Sequence, residues 1–252
     1  MNRFLKRAWA EIDLDALTHN YNEIKKLAKG KEILAVVKAN AYGHDDKAVC
    51  LKLQDLGVKY YGVSNLWEGE KLRQHGITGT ILTFGYTDED YFDELLEYGI
   101  TQTAGSVQYA KELSDYAVSK GVKLPVHIKV NTGMTRVGID TEEEMLDILA
   151  MPGLDCKAAY THFAAADSFD EDDVQYTNKQ QEKLMKIASN KGLLIHSQNS
   201  GGIVYHSDFG GDIVFGLVQF GGNQLNQFGK FRFGRFGFCI GVNGNKRHVF
   251  SP

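Results

Sequence analysis

Residues Val36-Val37-Lys38-Ala39-Asn40-Ala41-Tyr42-Gly43-His44 place a lysine where an apolar run ends and a polar, glycine-containing segment begins. The run from Ile33 to Val37 is apolar without alternation, which predicts a buried parallel strand. Lys38 then lies at the carboxyl end of that strand. A lysine that loses hydration can act as a nucleophile or a base, although a lone lysine at a strand end more often extends into solvent.

The rest of the chain repeats a unit of helix, glycine and strand. The first helix is predicted over about residues 16–29. Thr141 and Glu144 have the spacing of a capping box, which predicts that a later helix begins there. Left-handed helix ends are predicted at Gly30, Gly57, Gly76, Gly99, Gly121, Gly153 and Gly192. A β-rich run follows each: ILAVVKA, YYGVSN, TILTFG, ITQTAG, VHIKVN, KAAYTHF and LLIHSQN, with DIVFGLVQFG as an eighth. Eight such units predict an α/β fold, a (β/α)8 TIM-type barrel.

Composition narrows the class of protein. The chain has 252 residues, a formal net charge of −4 and 43% hydrophobic residues, which fits one barrel domain with a sizeable core. The charge gives no indication of nucleic acid or membrane partners. The three cysteines, Cys50, Cys156 and Cys239, are far apart and have no metal-binding spacing, so no metal is expected. With no apolar leader or membrane-spanning stretch, the sequence predicts a cytoplasmic protein.

The segment VKANAYGH resembles the pyridoxal 5'-phosphate motif of the alanine racemase family, the fold-type III pyridoxal-phosphate enzymes. Other segments that resemble the family occur in the same order along the chain, from about residue 8 to residue 221. The resemblance implies that Lys38 is catalytic and holds the cofactor as a Schiff base, and that Tyr42 contacts its phosphate. It also implies an isomerase that racemises L-alanine to D-alanine, a peptidoglycan precursor, with serine as another small substrate. Family members are homodimers.

A second block, Lys129 to Gly138, reads KVNTGMTRVG. Arg136 offers a planar fork for an oxyanion, and Lys129 lies seven residues earlier. Two like charges close together are costly unless one is neutralised. The block resembles the racemase pattern in which this lysine is carbamylated and orients the arginine. By that resemblance Arg136 bonds the phenolic oxygen of the cofactor and contacts the substrate.

Three later segments add cofactor contacts by the same resemblance. His162 follows the sixth predicted strand and would pack on or near the pyridine ring. The phosphate would be bound after the seventh strand and on the eighth, by Asn199, Ser200, Gly216 and Leu217, where barrels often place such a site. Taken alone, a histidine is more often a hydrogen-bonded core residue, and a Ser-Gly-Gly turn needs no ligand.

Two departures from the family pattern are visible. The eighth run, Asp212 to Gly221, lacks the arginine that faces the pyridine nitrogen in the family. The family's C-terminal β domain, with the tyrosine that acts as the second base across the dimer interface, is absent from the sequence. We therefore expect impaired racemisation and a doubtful dimer. The alternatives are a barrel that binds pyridoxal phosphate without racemase activity, and a scaffold that binds no cofactor.

The chain divides into three predicted parts. Residues 1–15 form a strand segment outside the barrel, and residues 16–221 form the pyridoxal-phosphate-binding barrel. Residues 222–252 form an atypical Gly/Phe-rich basic tail, which is either a poorly packed segment or the product of a shifted reading frame. Such a short tail cannot build a second β domain. The strand between Trp9 and Leu14 is therefore expected to lack sheet partners.

Overall fold

A computed structural model describes residues 9–10, 12–216 and 238–239 of the chain. Eight parallel strands form a closed barrel in chain order, and the last strand pairs with the first through Glu32 and Ile213. These strands are β2 (Glu32–Val36), β3 (Tyr60–Val63), β4 (Thr80–Thr83), β5 (Thr101–Ala104), β6 (Leu124–Lys129), β7 (Leu154–Tyr160), β8 (Leu194–His196) and β9 (Ile213–Gly216). The predicted (β/α)8 barrel is confirmed.

Helices connect the strands, as parallel pairing requires. They are α1 (Leu14–Leu27), α2 (Lys38–Gly43), α3 (Asp46–Asp55), α4 (Leu66–Gln74), α5 (Phe92–Glu97), α6 (Val107–Ser119), α7 (Glu142–Leu149), α8 (Glu171–Ala188) and α9 (Ser200–Tyr205). Among the described helices, none has the length and apolar character that crossing a membrane demands.

Helix α1 begins earlier than predicted. The Asp13 side chain accepts hydrogen bonds from the amides of Asp15 and Ala16, so the helix starts at Leu14. The predicted strand segment over residues 1–15 therefore includes two helical residues. The capping box of Thr141 and Glu144 at the start of α7 is confirmed.

The glycines at helix ends are of two kinds. Six of the seven have positive φ angles, as left-handed ends require: Gly30, Gly57, Gly76, Gly99, Gly121 and Gly192. Gly153 does not, and the prediction for it was wrong. It is needed for another reason, because a Cβ atom there would lie 2.2 Å from the carbonyl oxygen of Ser114.

Alternate residues of each strand face opposite sides of the barrel wall. In β2, Ile33 and Ala35 pack in the large cluster between strands and helices, whereas Leu34 and Val36 pack in a smaller separate cluster. The smaller cluster also holds Leu82, Tyr160, Ile213 and Phe215. Its members come from several strands, so it fills the barrel interior beneath the carboxyl ends of the strands.

The strand near the N-terminus has a partner. Strand β1 (Trp9–Ala10) pairs antiparallel with β10 (Phe238–Cys239). The expectation that this strand lacks sheet partners is wrong for these residues. An unpaired edge presents backbone donors and acceptors that another extended segment satisfies. The other residues of the predicted tail, 222–237 and 240–252, lie outside the described residues.

Candidate active site

A cavity of about 430 Å³ opens at the carboxyl ends of the barrel strands. This is the face on which barrel enzymes place their catalytic groups. Its lining includes all but one of the site residues predicted from the sequence: Lys38, Tyr42, Lys129, Arg136, His162, Asn199, Ser200 and Gly216. Leu217 lies outside the described residues. Strand ends far apart in sequence thus meet around one space.

Lys38 enters the cavity where β2 ends, and the chain after it takes a left-handed helical path. Four consecutive residues without a glycine among them, Ala39 to Tyr42, have φ angles between 51° and 56°. Each such residue costs roughly 1–2 kcal/mol relative to a right-handed turn. The turn brings the Tyr42 ring to 5.9 Å from the Lys38 amine, so both side chains serve the same cavity.

Lys129 ends β6 and is almost fully buried, with 7% of its surface exposed. Its amine donates to the carbonyl oxygen of Val130 at 3.2 Å. Burial, reinforced by the nearby charge of Arg136, lowers the pKa of Lys129 to about 7. The amine is therefore neutral for much of the time near neutral pH, which is the state that can react with an electrophile.

Arg136 is exposed on the loop that follows β6. This loop has positive φ angles at Gly133, Thr135 and Gly138. The carbonyl oxygen of the Asn131 side chain accepts from the amides of Gly133 at 3.2 Å and Thr135 at 3.0 Å. Asn131 thus shapes the loop but is not among the residues that line the cavity.

His162 is half-buried in the cavity wall and stacks against Phe215, with ring centres 5.7 Å apart. Burial, followed by the charges of Lys129, Arg136 and Lys38, lowers the pKa of His162 to about 4. The imidazole is therefore neutral at physiological pH. It can pack against a flat ring or form a hydrogen bond, but it is a poor reservoir of protons.

The part of the cavity wall after β8 and at the end of β9 is formed by Asn199, Ser200 and Gly216. The Asn199 side chain accepts from the amide of Gly202 at 2.9 Å and donates to the carbonyl oxygen of Phe163 at 3.3 Å. A Cβ atom on Gly216 would lie 3.7 Å from the Ser200 hydroxyl. The absence of a side chain there leaves the hydroxyl and the β9 backbone open to the cavity.

Phe215 stands on β9, in the strand whose sequence lacks the arginine expected from the family pattern. Its ring lies between His162 and His196, at 5.7 Å from each ring centre. His196 is fully buried, and its Nδ1 atom has no hydrogen-bond partner. The surroundings of His196 are thus aromatic, and Arg136 is the one arginine among the described residues that line the cavity.

Sequence reasoning missed the polar layer beneath the cavity. His127 Nδ1 and His196 Nε2 lie 3.1 Å apart, and His196 stacks on Tyr160 with an interplanar angle of 5°. The Tyr160 hydroxyl lies 2.9 Å from the hydroxyl of Thr103. A signal existed, because His127 is two residues before Lys129 and so faces the same side of β6.

Other polar strand-end residues take structural positions. The Asn40 side chain accepts from the amide of Asp46, and the Asn65 side chain caps α4 by accepting from the amide of Glu68. The Ser64 amide donates to the Glu68 carboxylate. Sequence reasoning also missed Glu68. It belongs to no motif, and its partners, the amides of Ala39 and Ser64, follow two different strands.

A family model, "Alanine racemase, N-terminal domain", matches residues 12–224. The alanine racemase of Clostridium perfringens is 41% identical over 216 residues, covering 81% of this chain and 55% of that protein. Alanine racemase 1 of Bacillus subtilis is 35% identical over 227 residues, covering 86% and 57%. The chain thus spans about half the length of the curated relatives it matches.

Solved structures agree with the sequence matches. The alanine racemase of Clostridium difficile superposes with a TM-score of 0.80 at 31% identity, covering 88% of this chain and 61% of that one. The histidine racemase of Leuconostoc mesenteroides gives a TM-score of 0.79 at 28% identity, covering 88% of this chain and 61% of that one. On the matched domain, the shared barrel and the sequence identity, this chain belongs to the alanine racemase family.

Proposed function

We propose that the protein binds pyridoxal 5'-phosphate through Lys38 and racemises a small amino acid, alanine first. The observation that carries the proposal is the convergence of Lys38, the Lys129–Arg136 pair and the Ser200–Gly216 wall on one cavity. The family membership supports it, as do the names of the relatives. A C. difficile alanine racemase structure in complex with cycloserine belongs to the same set of neighbours.

The cavity suits this cofactor chemically. A primary amine, that of Lys38, is the group that condenses with an aldehyde. The Tyr42 and Ser200 hydroxyls and the bare backbone at Gly216 offer neutral hydrogen-bonding groups to a phosphate. The neutral His162 ring and the Phe215 ring provide flat apolar surfaces for an aromatic ring. Arg136 provides a cation for an oxyanion.

Bound pyridoxal phosphate supplies an electron sink for the carbanion that forms when an amino acid loses its α-proton. Lys38 would take and return that proton on one face of the substrate, because its amine enters the cavity from the end of β2. Arg136 would orient the cofactor oxygen and the substrate carboxylate. The buried Phe215 and Tyr160 rings would exclude water from this end of the cavity.

Lys129 is proposed to carry a carbamate. Its neutral amine would attack carbon dioxide, so that a nitrogen–carbon bond forms and one proton passes to water. The resulting carboxylate would replace a cation beside Arg136 with an anion. This change would remove the repulsion between the two side chains and orient the guanidinium. The buried position and the pKa of about 7 support the modification.

The second candidate is a barrel that binds the cofactor without racemising amino acids. One observation on the cavity favours it. Racemisation needs a second base on the face of the substrate opposite Lys38, and His162, with a pKa of about 4, is a weak base. A coupled assay for D-alanine from L-alanine separates the two candidates. Turnover supports the racemase, and cofactor binding without turnover supports the carrier.

Cofactor attachment is tested by adding pyridoxal phosphate to the pure protein. We expect a visible absorption band of lysine-bound cofactor, which borohydride fixes on the peptide that contains Lys38. The Lys38→Ala variant should lose the band. Lys111→Ala, which changes an exposed lysine paired with Asp115, should keep it. A full band in Lys38→Ala, or an adduct on another lysine, would refute the assignment.

A further inference from the structure

The turn that presents Lys38 runs against the intrinsic preference of its residues. Ala39, Asn40, Ala41 and Tyr42 are all L-residues in left-handed conformation, and such residues persist in series only where surrounding contacts determine them. The amide of Ala41 is bound by the carbonyl oxygen of Val37 at 2.9 Å. Further contacts that hold the turn come from side chains elsewhere in the fold.

The Glu68 carboxylate joins this turn to the next strand end. Its Oε1 atom accepts from the amide of Ala39 at 2.8 Å, and its Oε2 atom accepts from the amide of Ser64 at 2.7 Å. Both bonds are short and have an ionised acceptor, which makes them stronger than bonds between neutral groups. One side chain thus links the first residue after Lys38 to the end of β3.

Glu68 is itself held in place. Its amide donates to the side-chain oxygen of Asn65, the residue that caps α4. The carboxylate is half-buried and lies near Tyr42, because its charge, after burial, contributes to raising the pKa of that tyrosine. Glu68 therefore interacts with both ends of the left-handed turn: it accepts a hydrogen bond from the Ala39 amide, and its charge acts on the Tyr42 hydroxyl.

Helix α4 makes a second connection one turn later. The Lys71 amine binds the buried Asp46 carboxylate at 2.9 Å, and the Asp46 amide donates to the side chain of Asn40 at 3.1 Å. Asn40 is the second left-handed residue. Glu68 and Lys71, three residues apart on α4, thus hold two successive residues of the turn. Glu68 binds Ala39 directly, and Lys71 is connected to Asn40 through Asp46.

We propose that Glu68 is a positioning residue for Lys38. The Glu68 carboxylate holds the left-handed turn so that the lysine amine and the Tyr42 hydroxyl face the cavity together. The inference rests on the proposed function for its catalytic meaning. Removing the carboxylate leaves the amides of Ala39 and Ser64 without their acceptor. The turn then relaxes toward right-handed conformations that no longer direct Lys38 and Tyr42 to one ligand.

The test uses the full chain and two readouts. Variants are Glu68→Gln, which keeps the shape and one neutral oxygen acceptor, and Glu68→Ala, which keeps neither. The matched control is Glu70→Gln on the same helix, whose carboxylate binds the side chain of Gln74. The first readout is amide hydrogen exchange over residues 38–44 without cofactor. The second is the dissociation constant for pyridoxal phosphate, from the absorption band of the lysine-bound form.

We expect exchange over residues 38–44 to rise in Glu68→Gln and further in Glu68→Ala, with other barrel segments unchanged. Cofactor affinity should fall by about tenfold in Glu68→Gln and more in Glu68→Ala, as the loss of a charge-assisted bond predicts. Glu70→Gln should match the wild-type protein in both readouts. If Glu68→Ala proves unstable, the difference between Glu68→Gln and Glu70→Gln in both readouts decides the inference.

The outcomes separate this inference from the proposed function. Unchanged exchange over residues 38–44 in Glu68→Gln overturns the inference, whether or not cofactor binds. Faster exchange with unchanged cofactor affinity also overturns it, because the turn would then not position Lys38. Faster exchange together with a wild-type protein that shows no absorption band overturns the Schiff-base function, and supports the role of Glu68 in holding the turn.

Discussion

The Lys129 amine lies 5.1 Å from the centre of the Tyr160 ring. Tyr160 in turn stacks on His196, which lies against His127. The rings of Tyr160, His196 and His127 thus contact one another in series next to the Lys129 amine. Packing against these rings keeps water from the Lys129 amine, and this burial lowers its pKa.

Carbamylation of Lys129 should depend on pH. With a pKa of about 7, the amine is mostly protonated and unreactive at pH 6 and mostly neutral at pH 8. Carbon-13 NMR with labelled bicarbonate should therefore show a carbamate signal at pH 8 that fades at pH 6. Lys129→Gln should lack the signal. A crystal grown at high bicarbonate with a bare Lys129 amine remote from Arg136 would count against the modification.

The buried histidines should make the fold sensitive to acid. Burial lowers the pKa of His127 to about 4, so between about pH 6.5 and pH 4 the unfolded chain binds a proton that the folded chain does not. Stability is then fully present above pH 6.5 and is lost as the pH falls through that window, by about 3 kcal/mol for a shift of this size. The pKa of His196 is lowered too, by burial first, so it adds a loss of the same sign.

Urea unfolding at a series of pH values measures this loss. His127→Asn keeps a nitrogen or oxygen where His127 Nδ1 meets His196, but it removes one titrating group. We expect its stability to fall less steeply than that of the wild-type protein between pH 6.5 and pH 4. Parallel curves for the two proteins would show that His127 does not govern the acid response.

Gly216→Ala should weaken cofactor binding more than it weakens the fold. The added Cβ would lie 3.1 Å from Ile203 Cδ1 and 3.7 Å from the Ser200 hydroxyl, so a small shift of the isoleucine accommodates it. We expect a loss of stability of about 1 kcal/mol and roughly tenfold weaker binding of pyridoxal phosphate. Gly210→Ala is the control, because the nearest atom to its Cβ is 3.9 Å away. Equal affinities in the two variants would remove Gly216 from the proposed phosphate wall.

Asn131→Ala should loosen the loop that carries Arg136. The variant loses the acceptor for the amides of Gly133 and Thr135 and the donor to Asp140 at 3.1 Å. We expect about 1–2 kcal/mol lower stability and faster hydrogen exchange over residues 132–138. Exchange in that segment at the wild-type rate would show that other contacts fix the loop.

Much of the fold was predictable because its signals are local. Seven apolar runs of strand length, each after a glycine at a predicted helix end, and an eighth run outside that pattern predicted the eight strands. Lys38, Lys129 and His162 stand at a strand end or two residues beyond it. Parallel strands place their carboxyl ends on one face, so their meeting in a cavity followed from the barrel itself. The sequence and the resemblance together thus predicted eight of the residues that line the cavity.

Other features depend on contacts between residues far apart in the chain, and only the tertiary structure decided them. Nothing near Ala39 indicates a left-handed turn, because the carboxylate bound to its amide belongs to Glu68 on the following helix. The sequence predicted a left-handed helix end at Gly153, whereas the structure shows that the nearby Ser114 carbonyl leaves no room for a Cβ atom there. The pairing of Trp9–Ala10 with Phe238–Cys239 likewise joins opposite ends of the chain. Local sequence sets backbone preference and periodicity, whereas an unfavourable backbone conformation or a long-range partner is fixed by the packing of the whole barrel.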